Sequence, residues 1–221
     1  MITVVGVAHV IDLKRQIENI IVSKNPDVVA VELDYGRYYA MTHKIEGKMP
    51  YIYRKMSEMQ KSLAEMLGTE VGREMLTAVQ VARALGKDVA FIDMDAAEIA
   101  KRIRKNMSVW EKIKLYFSIF LAPFSKKKVS EKDVKDIIEH EDVYISYLKK
   151  RFPGLSKALF DDRERVMADN LIKLSSDKNV VAFVGDGHIN GLKKRIKDAE
   201  FIHLKEIMGD SMSTSYTVSL N

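Results

Sequence analysis

VVAFVGDGHINGLKKRI, residues 180–196, reads as a strand that stops at a glycine and turns into a helix. Val180 to Val184 carry no polar side chain, so a strand here is covered on both faces rather than on one. Gly185, Asp186, Gly187 and His188 follow at once. Glycines at this place let the chain turn sharply and leave room for a ligand beside the backbone. The same form stands at the start of the chain. ITVVGVAH (2–9) is a β-branched run that meets Gly6 and closes on His9, so Gly-x-x-His occurs twice, each time at the end of an apolar run.

Working outward, DVVAVELD (27–34) and GKDVAFIDMD (86–95) are further continuous apolar runs, and AEFIHLKEI (199–207) and SYTVSLN (215–221) read as a fifth and a sixth strand. IDLKRQIENIIVSK (11–24) has apolar residues at helical spacing and is stopped by Asn25-Pro26, and a second helix is expected over residues 70–85. Alternating helices and fully apolar strands imply an α/β fold, with a mostly parallel central sheet flanked by helices. No strand pattern falls between Asp95 and Ser176, so a large helical insertion, about 97–176, is expected between the third and fourth main strands. PFSKKKVSEKD (123–133) is its internal linker, and residues 1–221 read as one domain.

Composition narrows the chemistry. The 221 residues are 47% hydrophobic, enough for a substantial core, and the formal net charge of +5 is only mildly basic. With no cysteine, disulfides, thiolate metal sites and cysteine nucleophiles are excluded, which leaves five histidines and the carboxylates as ligands. Met1–Val10 lacks a basic leader, and Glu111, Lys112 and Lys114 break the longest apolar run, so a soluble, cytoplasmic protein is expected. The basic tract Lys101, Arg102, Arg104, Lys105 and Lys126–Lys128 reads as a solvated helix face, with weak contact to an anionic membrane surface as the other reading. It has no interleaved aromatics, so no nucleic acid is expected. Met41, Met49, Met56, Met59 and Met66 could line a peptide groove, but ordinary helix packing is preferred.

In an open parallel sheet, ligands bind beyond the carboxyl ends of the strands. This sequence places His9, Glu32 with Asp34, Asp93 with Asp95, and His188 at those ends. Two imidazoles with a carboxylate suit zinc, manganese, iron or cobalt. Each residue also has a plainer reading: Glu32 as a helix cap, Asp34 and Arg37 as a pair three apart on one helix, Asp93 or Asp95 as the cap of a helix starting at Ala96. Gly185-x-Gly187 is not a dinucleotide fingerprint, because Asn190 stands where the third glycine belongs and Gly191 comes one place late.

GVAHV (6–10), PDVVAVELDYGRY (26–38), REMLTAVQVARALGKDVAFIDMD (73–95) and VVAFVGDGHINGL (180–192) resemble the TraB/PrgY family, of the superfamily that holds the Tiki proteases, erythromycin-esterase-like enzymes and ChaN-like haem-binding proteins. MSVWEKIKL (107–115) and LFDDRERVMADNL (159–171) resemble it too, so the likeness runs from about Ile2 to Ile196. It implies two related βα halves with both motif histidines in one cleft and, for the Tiki branch, a metal-dependent peptidase. By the resemblance His9 and His188 are the motif histidines, Glu32 and Arg37 the acid and base around the second strand's end, Glu74 the helix glutamate, Asp93 the acid ending the third strand, and Arg163 part of an acidic-arginine patch. The second motif is often Gly-Ala-Gly-His in the family; Asp186 here adds a charge beside the histidine.

The leading expectation is a metal-dependent hydrolase, a peptidase, with a divalent metal (Mn, Co, Zn or Fe) on His9, Glu32 and His188, and with Arg37 holding a carboxylate or an oxyanion. Two alternatives stand beside it: a non-catalytic protein that sequesters a peptide or haem in the same cleft, and a metal-free hydrolase with a histidine general base. The expected partners are a peptide and a second copy in a homodimer.

Overall fold

The computed structural model describes residues 1–8, 13–43, 73–121 and 141–208. Among them are the strands β1 (Ile2–Val7), β2 (Val28–Val31), β3 (Asp88–Phe91), β4 (Val180–Gly185) and β5 (Ala199–Ile202). They form one sheet in the order β3-β2-β4-β1-β5, and every pairing is parallel. Val31 and Val5 both sit in register with Phe183, and Val7 with Gly185, so the carboxyl ends come out at one edge.

The direction of winding explains where the helices go. The connections β1–α1–β2 and β2–α3–β3, through α1 (Lys14–Lys24) and α3 (Arg73–Ala84), move along the sheet one way. Those that end in β4 and β5, through α8 (Asp162–Leu174) and α9 (Ile189–Lys193), move the other way. Right-handed crossovers therefore place the two pairs of helices on opposite faces. The strands supply both cores by alternation. Val5, Val29, Val31, Val181 and Phe183 pack with Ile17 and Ile21 of α1 and with Met75, Ala78 and Ala82 of α3. Ile2, Val4, Ala30, Ala182 and Val184 pack with Met167, Ala168 and Leu171 of α8 and with Ile189 and Leu192 of α9. That double coverage is why the runs that form β2 and β4 are apolar throughout. β4 stands between two strands whose connections leave on the other face, so the chain parts around its carboxyl end.

Every described element between β3 and β4 is helical: α4 (Ala96–Asn106), α5 (Val109–Leu121), α6 (Glu141–Arg151), α7 (Pro153–Ser156), a π turn over Lys157–Asp161, then α8. The segment expected as one insertion divides in two. α8 is a layer of the sheet itself, whereas α4, α7 and the π turn build a separate core from Met94, Ile99, Ile103, Phe152, Leu155 and Ala158. The expected sixth strand, the 123–133 linker and Met49, Met56, Met59 and Met66 lie outside the described residues; Met41, on α2 (Tyr35–His43), packs against the first core. A short α10 (Leu204–Met208) follows β5.

Gly154 holds the helical core together by having no side chain. A Cβ there would lie 2.2 Å from the Asn106 carbonyl oxygen and 2.7 Å from the Met107 Cα, and its N–H donates to Glu111 Oε1 at 2.7 Å. Backbone cannot yield as a side chain can. Gly154→Ala should therefore destabilise the protein by roughly 1–3 kcal/mol through overpacking. Urea denaturation checks this, and an unchanged midpoint would contradict the packing.

Candidate functional site

Arg163, in the first turn of α8, is where the strand ends meet. Its Nη2 donates to Glu32 Oε1, just past β2, and to Asp93 Oδ2, just past β3, at 2.6 Å; its Nε donates to Asp93 Oδ1 at 3.0 Å. The two bonds to Asp93 make a bidentate pair, the strong form of this contact. Its Nη1 lies 3.3 Å from His188 Nε2, which itself stands 3.3 Å from Glu32 Oε1. The other oxygen of Glu32 accepts the Gly185 N–H at 2.6 Å, which fixes the carboxylate to the end of β4. Arg37, in α2, donates from Nη2 to Asp93 and from Nε to Asp34, and the Met94 N–H donates to Asp93 Oδ1 at 2.7 Å. The π turn ends two residues before Arg163. An extra residue in a helical turn often marks a functional position.

The cluster is buried, and its charges depend on one another. The side chains of Asp93, Glu32, His188 and Arg163 are 0, 4, 7 and 13% exposed. Burial alone would lower the pKa of Arg163, but Glu32 and Asp93 outweigh it and raise it. Arg37 is likewise raised, burial being opposed chiefly by Asp93. Burial would raise Asp93, but Arg163 dominates and holds it low. Burial would push the His188 imidazole down; Glu32 and Glu164 outweigh burial and the opposing Arg163, and it is pushed up to about 9.

Five of the expected residues therefore converge: Glu32, Arg37, Asp93, Arg163 and His188. Glu74 is buried in the first turn of α3 and takes no part in the bonds just described. His9 lies outside the described residues. Some of the plainer readings hold beside the site. Asp95 caps α4 by accepting the Ala97 and Glu98 N–H groups, and Asp34, not Glu32, caps α2 by accepting the Arg37 N–H at 2.9 Å. Asp186 does not charge the histidine's surroundings as expected. It turns the other way, accepts the Leu204 N–H at 2.8 Å and lies 3.3 Å from His203 Nδ1, in space left by Gly6. Glu164 and Arg195 are site residues that the sequence reading missed. No local pattern in the sequence pairs them, since they lie 31 residues apart.

The described donors do not fit a divalent metal. No group of three histidine or acidic side chains that could hold one occurs among the described residues. Both carboxylates spend their oxygens on Arg163, Arg37 and backbone N–H groups. An ion on Glu32 and His188 would stand where the guanidinium already supplies the positive charge.

The chain is similar to known proteins in three respects. The model of the TraB/PrgY/gumN family matches residues 1–200. An uncharacterized protein of Methanocaldococcus jannaschii, MJ1365, is 30% identical over 214 residues, covering 90% of this chain and 54% of its own length. The chain thus spans about half of that relative. A solved structure of ChaN from Campylobacter jejuni, described for cofacial haem binding, is similar at a TM-score of 0.42 and 14% identity, over 90% of this chain and 78% of that one. No described helix is long and apolar enough to cross a membrane.

The His188 shift fixes a pH dependence. Its folded value, about 9, lies above the ordinary value of about 6.5, so protonated His188 stabilises the fold. That contribution is complete below about pH 6.5 and is lost as pH rises through about 9. The urea midpoint should fall across this window, and His188→Gln should remove the fall. Parallel loss in both proteins would contradict the assignment.

Proposed function

The chain belongs to the TraB/PrgY/gumN family, and from that premise we propose that it is a hydrolase whose reaction centre is the Arg163 cluster. One observation carries the reading: Glu32, Asp93 and His188, from the ends of three strands, meet one buried guanidinium at the carboxyl edge of the sheet. Buried charge of this kind, with a strongly shifted imidazole, is how sites are prepared for proton transfer. The substrate class is an acyl compound, with a peptide amide as the leading case. His188, an imidazolium at neutral pH, gives its proton to the leaving nitrogen. Arg37, whose side chain is 26% exposed against 13% for Arg163, faces the developing oxyanion or a substrate carboxylate. His9, the histidine of the first motif, is the base that takes a proton from the attacking water. Arg163 keeps Asp93 ionised and holds Glu32 in place.

A second reading, the metal-dependent peptidase, would take Glu32 and His188, which stand 3.3 Å apart, together with His9 as ligands. It requires Arg163 to leave Glu32. The two are separated by incubating the protein with a mixed peptide library and reading new termini by mass spectrometry, with and without chelator. Cleavage is expected to survive chelation, and His188→Gln should lower it by roughly 10²–10⁴-fold. Cleavage lost to chelator and restored by manganese, cobalt, zinc or iron would favour the metal. Peptide retained without cleavage would favour a binding protein and contradict the hydrolase.

A further inference from the structure

Gly191 is the glycine that came one place late for a nucleotide motif, and it stands beside the site for a different reason. A Cβ built on it would lie 2.0 Å from Glu164 Cδ, 2.0 Å from Oε2 and 2.2 Å from Oε1. The Glu164 carboxylate thus occupies the space a side chain at 191 would need. Glu164 is 3% exposed, so water does not solvate that charge. Arg195 does: Nη1 donates to Glu164 Oε2 at 2.9 Å and also to the Gly191 carbonyl at 2.7 Å, while Nη2 donates to the Asp161 carbonyl at 3.3 Å. The remaining oxygen, Oε1, stands 3.5 Å from His188 Nδ1. That nitrogen is buried and has no hydrogen-bond partner among the described residues. Glu164 Oε1 is the acceptor placed on its side of the ring, and the Phe160 ring, 5.2 Å from the imidazole centroid to centroid, flanks it. The opposite nitrogen faces Glu32 and Arg163.

We propose that Gly191, Glu164 and Arg195 form a positioning device for His188. The absent side chain at 191 seats the carboxylate, Arg195 clamps it, and the carboxylate holds the ring by its Nδ1 edge so that Nε2 faces the cluster. Glu164 is a positioning residue in this account. Its effect on turnover rests on the hydrolytic reading, whereas its effect on the ring does not.

Gly191→Ala tests the device without touching a charged group. The atoms it strikes are the far end of a side chain, so the carboxylate moves aside and the fold survives. The protein is made with ring-¹⁵N histidine, and the His188 signals are identified by their absence in His188→Gln. In the wild type, His188 Nδ1 should appear as an N–H shielded from exchange with water. In Gly191→Ala and in Glu164→Ala that signal should be lost, with the backbone amide spectrum otherwise kept. Thermal unfolding adds a sign reversal. Alanine is favoured over glycine in a helix, so Gly191→Ala should raise the Tm in the Glu164→Ala background and lower it in the wild type. An unchanged His188 signal in Gly191→Ala, or a raised Tm in both backgrounds, would overturn the proposal. If Glu164→Ala does not fold, the ring signal in Gly191→Ala decides alone. Where the wild type cleaves peptide, Gly191→Ala should lower kcat and leave KM unchanged. A wild type without turnover sinks the hydrolase reading and leaves the ring measurement to decide this one.

Discussion

Arg163 carries the constraint on which the carboxyl edge of this sheet depends. β2 and β3 each end in a buried carboxylate, and a single guanidinium answers both. Two unpaired carboxylates in that space would each face a desolvation cost of several kcal/mol, with like-charge repulsion added. The cation comes from α8, whose apolar face is anchored on the sheet by Met167, Ala168 and Leu171. Packing in the core therefore sets the position of the charge, and the charge sets which protonation states the neighbouring groups adopt. Arg37 extends the network to α2, and Glu32 extends it to the backbone of β4 through Gly185.

This arrangement gives the two ends of the second motif different work. Asp186 and His188 are two residues apart, yet the aspartate ties β4 to the start of α10 while the histidine enters the cluster. Glycines decide the division. Gly6 makes room for Asp186, and Gly191 makes room for Glu164, in each case because a Cβ would fall about 2 Å from a carboxylate oxygen. At these two positions the missing side chain is the space that a charged one fills. Among the described residues Arg163 is a fixed cation for both acids, whereas His9, the third member of the metal set that motif spacing suggested, lies outside them.

The parallel sheet was legible because β1, β2 and β4 are buried on both faces, and that leaves nearly unbroken apolar runs in the sequence. The convergence of Glu32, Asp93 and His188 was legible too, since Glu32 and Asp93 follow such runs directly and His188 follows one after a three-residue turn. Arg163 and Glu74 entered only through family resemblance, because neither lies at a strand end. The role of α8 was not legible: its apolar spacing matches that of the helices beside it, and only the sheet order shows that it is a crossover. Glu164 and Arg195 were hidden for a related reason. They are 31 residues apart and meet across two elements, and no local pattern records that pairing. Asp186 was misread because sequence proximity to a histidine says nothing about the direction in which a turn sends each side chain.

The most direct test of the account is a double-mutant cycle on Arg163 and Asp93, measured by urea denaturation of Arg163→Gln, Asp93→Asn and the double variant. If the guanidinium holds the strand ends together as described, the two losses are far from additive, with a coupling of about 1–3 kcal/mol. Losses that add to within roughly 0.3–0.5 kcal/mol would mean the two groups act independently, and the centre of this site would lie elsewhere.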